Sequence, residues 1–139
     1  MLAVVSAEAL RTTGTPTVVV FLLVLVLLTL VNVMVTSGSA MWSIAAPVLV
    51  PLLMLVAVPP ETTQALFRIA DSGSTAITPM SPYFVMALGF LQRYRKDAGI
   101  GTLASYTLPL AIAMTTVWTL LFLGWWALGI PLGPGAPVR

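Results

Sequence analysis

The sequence predicts an all-α polytopic membrane protein, and three observations predict it. Of 139 residues, 59% are hydrophobic and only 7% charged, against roughly 25% charged in ordinary soluble domains. The charges are also segregated: none falls between Arg11 and Glu61, and none between Asp97 and Arg139. Uncharged apolar stretches longer than about 18 residues are bilayer-spanning segments. Finally, a Ser/Gly/Pro-rich gap at 72–82 divides one such region into two halves, each too short to span alone.

The same counts exclude other classes. Without Cys there is no disulfide framework or thiolate metal site, and without His no imidazole base or ligand. Glu8, Glu61, Asp71 and Asp97 are the only acids, so paired-carboxylate catalysis has few places to sit. No enzyme activity, metal or cofactor is expected. A net charge of +2 is too small and scattered for nucleic-acid binding. Residues 1–9 lack the basic start of a signal peptide.

In chain order, residues 11–16 hold Arg11 and a Thr/Gly/Pro breaker run, and 17–36 form an apolar arm. Twenty residues of helix reach about 30 Å, the thickness of the hydrocarbon layer. The pattern breaks at 36–42, and a second arm at 43–58 ends in Pro59-Pro60. These arms, 17–58, form either two spans or a re-entrant hairpin. Next, 61–71 supplies only about 16 Å of helix. Pro79 and Pro82 interrupt the following segment, since proline removes a donor and restricts the residue before it. With a second half at 83–94, the region 61–94 reads as one discontinuous helix broken near mid-membrane. Backbone leaves helical form at that depth only where protein or water satisfies it, and transporters place substrate and coupling ions there. Arg93, Arg95 and Lys96 mark the next loop as cytoplasmic. The terminal span covers 102–129, with a kink expected at Pro109. Trp125 and Trp126 read as an interfacial belt at its outer end, leaving the C-terminus and Glu61 outside.

The candidate site residues cluster at the two breaks. Ser37-Gly38-Ser39 recurs as Ser72-Gly73-Ser74. Such tripeptides allow close backbone approach and offer hydroxyls and carbonyls to Na⁺ or a polar substrate, although small residues also serve simple helix packing. Arg68 and Asp71 share a helix face at i,i+3. Charges inside a membrane are costly, so they act either as substrate counterion and partner or as a mutually neutralising pair. Adjacency to the break favours the functional reading. Trp42 is a stacking platform or a packing residue. Pro60 starts a helix, and Pro79 shapes the break. Asn32, alone in an apolar arm, reads equally as an interhelical hydrogen-bonding residue or an ion ligand.

The run SGSAMWSIAAPVLVPLLMLVAVPPETTQALFRIADSGSTAITPMSPYF, then RYRKDAGIGTL and GIPLGPGAP, resembles the C-terminal part of the p-aminobenzoyl-glutamate transporter (AbgT) family. The resemblance extends from about Gly14 onward and rests on the ordered spacing of Ser-x-x-Trp, Pro-Glu, Arg-x-x-Asp, Thr-Pro and Gly-Pro-Gly-Ala.

It implies a dimeric transporter of the bacterial inner membrane with two re-entrant hairpins, driven by proton motive force or Na⁺. Its members carry p-aminobenzoyl-glutamate, and some export sulfonamides. The family's binding positions fall on Ser39, Trp42, Pro60, Arg68, Asp71 and Pro79; Asn32, Ser37, Ser72 and Ser74 are added as ion-site candidates from the residue reading above. The chain corresponds to the second inverted repeat: a re-entrant helical hairpin, a broken transmembrane helix and a terminal transmembrane helix. It lacks the N-terminal half with its acidic binding residue, as if Met1 were an internal start in a truncated or split gene. The alternatives are a non-transporting assembly subunit or remnant, and a carrier for another dicarboxylate or anion.

Overall fold

A computed structural model describes residues 16–35 and 37–136. The expectations for Arg11, for residues 12–15, for Thr36 and for Pro137 lie outside them. The described residues form five helices: α1 (Thr17–Asn32), α2 (Gly38–Met54), α3 (Pro60–Thr75), α4 (Pro82–Tyr94) and α5 (Ile100–Leu128). No strand occurs among these residues; one isolated bridge joins Gly133 to Ala136.

A polar helix sits at the centre, packed among apolar faces. α3 is the most polar helix, yet it lies at the centre and touches α1, α2 and α5. Its Thr62, Thr63 and Ser74 are fully buried beside Leu66 and Phe67. Around it, α1 turns Phe21, Leu25 and Leu28 inward, and α2 turns in Met41, Ala45, Leu49 and Leu53. These recur every three or four residues, as one face of a helix must. The opposite faces present Leu23, Val26 and Leu30 of α1 and Val117, Leu120 and Leu121 of α5 outward. α5 is long and apolar enough to cross a bilayer. Phe21 meets Phe122 and Trp126 edge to face at 5.5 and 5.4 Å, tying α1 to the far end of α5. Trp126 thus turns into the core, unlike the interfacial ring expected from sequence.

Both breaks differ from the sequence expectation. Among the described residues the first takes in 33–35 and Ser37 and stops short of 38–42, because Ser37 caps α2, accepting from the Ala40 amide at 3.3 Å. Helix therefore begins at Gly38, ahead of Trp42. The second begins only after Thr75. Ser72-Gly73-Ser74, expected within the gap, forms the last turn of α3 instead. Ser74 and Thr75 hydroxyls donate back to the Asp71 carbonyl at 3.1 and 2.8 Å, which suits helical geometry. The gap proper is 76–81. α5 continues as helix through Pro109, and α2 through Pro47 and Pro51.

Two helix ends share one device. Val58 N–H donates to Leu53 O and Ala57 N–H to Met54 O, with Ala57 left-handed at φ 61°. Ile130 N–H donates to Trp125 O and Gly129 N–H to Trp126 O, with Gly129 at φ 68°. Both are Schellman terminations, and Leu53 and Val58 are buried together as that motif prefers.

α5 runs beside both α3 and α4. The 29 residues of α5 reach about 43 Å as helix.

Candidate functional site

Gly38 and Asp71 bring the two halves of the site together. Gly38 is the first residue of α2, and a Cβ there would collide with the Asp71 carboxylate. Glycine lets the α2 N-terminus reach this carboxylate without displacing the Asp71 side chain, and the partial positive end of a helix is a favourable neighbour for it. The second tripeptide works similarly: a Cβ at Gly73 would strike the Thr115 hydroxyl of α5. Each Ser-Gly-Ser repeat therefore marks a close approach to a neighbouring helix.

Arg68 lies one turn before Asp71. Its Nη1 is 3.7 Å from Asp71 Oδ2, with the side chains 54% and 20% exposed. That separation exceeds hydrogen-bonding range, so the pair attracts without locking the guanidinium. Arg68 also stands 5.8 Å from the Phe67 ring centroid. Phe67 supports Trp42 as well, with ring centroids 5.0 Å apart and planes tilted by 48°. Trp42 is half-buried with Phe67 beside one face.

The remaining candidates are spread around this centre. Ser37 and Ser39 are exposed at the start of α2, and the Ser39 carbonyl accepts from Ser43 at 2.9 Å. Pro60 is the exposed first residue of α3, with Glu61 in its first turn. Pro79 is exposed in the second break. Ser72 is half-buried beside Arg68 at a groove between α3 and α5. Asn32 ends α1 fully buried, and neither amide atom has a hydrogen-bond partner among the described residues. An unsatisfied buried amide costs about 1–3 kcal/mol.

Sequence reasoning missed Thr78. Its hydroxyl, fully buried, donates to the Val33 carbonyl at 2.7 Å and joins the two breaks directly. Its only signal was a hydroxyl residue before proline in a gap. Phe67, the platform under Trp42 and Arg68, was read as ordinary apolar filling.

A cation, a carboxylate and a helix N-terminus thus come together on α3 and α2, and an unsatisfied amide lies at the end of α1. The whole sequence matches one family model, described as the AbgT putative transporter family, over residues 1–139. The chain belongs to the AbgT family. It is 41% identical over 134 residues to the p-aminobenzoyl-glutamate transport protein of Escherichia coli (strain K12), covering 96% of this chain and 26% of that protein. It is similar to the crystal structure of the Alcanivorax borkumensis YdaH transporter, with TM-score 0.87 and 47% identity over 96% of this chain and 28% of that one. It is also similar to Neisseria gonorrhoeae MtrF, whose structure illuminates a class of antimetabolite efflux pumps. There the TM-score is 0.82 and identity 42%, over 97% of this chain and 27% of the other. The chain spans about a quarter of the length of these relatives. The AbgT match bears out the family read from the Ser-x-x-Trp and Arg-x-x-Asp spacing, the all-helical class and the membrane setting.

Proposed function

We propose that this chain forms the C-terminal, substrate-facing part of an AbgT-type secondary transporter for p-aminobenzoyl-glutamate, with efflux of related antimetabolites as a further activity. The observation that carries this reading is the Arg68–Asp71 pair at the N-terminus of α2. A guanidinium holds a carboxylate through two parallel hydrogen bonds, and p-aminobenzoyl-glutamate offers carboxylates. Arg68 receives the substrate; Asp71 offsets its charge without locking the guanidinium. Ser39, Trp42, Pro60 and Pro79 complete the site on the strength of the family resemblance.

The coupling ion is a proton or Na⁺. Asn32 supports an ion site at the first break, since its unpartnered carbonyl oxygen is available to a cation. Ser37 is close in sequence, whereas Ser72 and Ser74 have become helix residues and support this role less. α1 and α2, of 16 and 17 residues, reach only about 24–26 Å. That shortness favours a re-entrant hairpin. The chain acts in the bacterial inner membrane with its C-terminus outside, within a dimer and together with a first half that supplies an acidic binding residue.

The test is equilibrium binding of radiolabelled p-aminobenzoyl-glutamate to the chain co-expressed with, or grafted onto, a first half of an AbgT transporter. Arg68→Ala abolishes binding and Arg68→Lys weakens it. The double variant Arg68→Met with Asp71→Asn removes both charges, folds and does not bind. Near-wild-type affinity in that double variant leaves only a structural ion pair.

A further inference from the structure

Arg68 faces two ways. Besides Asp71, it borders an open groove of about 360 Å³ between α3 and α5, with Leu121 on its outer lip, within the size range of small-molecule sites. From α3 the wall carries Arg68 and Ser72; from α5 it carries Trp118, Phe122 and Trp125, and Leu132 closes one end. Trp118 and Trp125 lie two turns apart on one face of α5. The Trp125 Nε1 donates to the Pro131 carbonyl at 3.4 Å, so its polar atom is already engaged and its ring remains for apolar contact. Arg68 is the only charged group in a wall of rings and aliphatic side chains, and its 3.7 Å separation from Asp71 leaves its donors free.

A ligand that fits such a wall has an aromatic ring joined to an anion. We propose that this groove receives the aryl group of an aryl-carboxylate ligand, the ring lying against Trp118 and Trp125 while Arg68 holds the carboxylate. Trp42, with Phe67 already beside it, is then not the main platform for the ring. The inference rests on the reading of Arg68 as the carboxylate-holding residue and specifies where the rest of the ligand goes.

The experiment compares two labelled ligands on the chain joined to or co-expressed with a first half of an AbgT transporter: p-aminobenzoyl-glutamate, and N-acetylglutamate, which keeps the dicarboxylate without the ring. Wild type prefers the aryl ligand. Trp118→Leu and Trp125→Leu each weaken aryl-ligand binding by about five- to tenfold, the worth of one aromatic pair, and leave N-acetylglutamate unchanged. Trp118→Phe retains most of the aryl preference, which a merely misfolded helix would not. Trp42→Leu leaves the preference in place. The inference is overturned if the aryl preference survives in both α5 variants, or if only Trp42→Leu removes it. In either case loss of binding in Arg68→Ala would leave the parent reading standing. If wild type binds neither ligand, both fall.

Discussion

The Thr78 hydroxyl donates to the Val33 carbonyl at 2.7 Å, across 45 residues of sequence. Each belongs to a different break, so one hydrogen bond fixes the two non-helical segments against each other. Thr78→Val keeps the shape and removes the donor, leaving the Val33 carbonyl without it. A loss of about 1–3 kcal/mol is expected, read as a lower midpoint in thermal unfolding of the purified protein. An unchanged midpoint would show that the breaks are held by packing alone.

Contact between Gly38 and Asp71 gives a sharper test. Gly38→Ala forces a methyl into the carboxylate, and overpacking of this kind costs about 1–3 kcal/mol. Combining it with Asp71→Ala clears the space. The double variant should therefore be more stable than the sum of the single effects. Strict additivity would mean that the Asp71 carboxylate yields to the methyl without cost.

Ala57 stands where the same termination at the end of α5 uses Gly129. A left-handed non-glycine residue is strained, while glycine adds disorder to the unfolded chain. Ala57→Gly should therefore stabilise the protein by about 0.5–1 kcal/mol on balance. Ala57→Val, branched at the strained position, should do the reverse. Chemical denaturation of the pair would give opposite shifts in midpoint.

Orientation can be tested at the exposed loop after α4. The chain has no native cysteine, so Lys96→Cys introduces a single reactive thiol. In intact cells an impermeant maleimide should miss Lys96→Cys and label Ala136→Cys. The opposite pattern would invert the proposed topology and put the α1–α2 hairpin on the cytoplasmic side.

The sequence carried local relationships well and distant ones poorly. Arg68 and Asp71 were legible because three residues of helix put them on one face. The need for a gap near Pro79 was legible because proline cannot continue the hydrogen-bond ladder. Its start was misplaced, because Ser74 and Thr75 bond back to Asp71 and keep the helix going. Composition alone makes a Ser-Gly-Ser-Thr run look like loop. The Thr78–Val33 bond, the Phe67 platform and the placement of Trp118 and Trp125 opposite Arg68 depend on tertiary packing, and no spacing in the chain encodes them.

The polar helix at the centre has a consequence for biogenesis. α3 contains Glu61, Arg68 and Asp71 together with several hydroxyl residues, and an Arg or Asp at mid-helix disfavours translocon insertion by about 2.5–3.5 kcal/mol each. Left to itself it would partition into water. Entry into lipid therefore depends on α1 and α2, made before it, and on α5, made after it. The segment is recruited by its neighbours and becomes committed to the bilayer only once they enclose it. Mutations that weaken the contact between α1 and α3 should thus act first on yield and topology during synthesis, before any defect in ligand handling has a folded protein in which to appear.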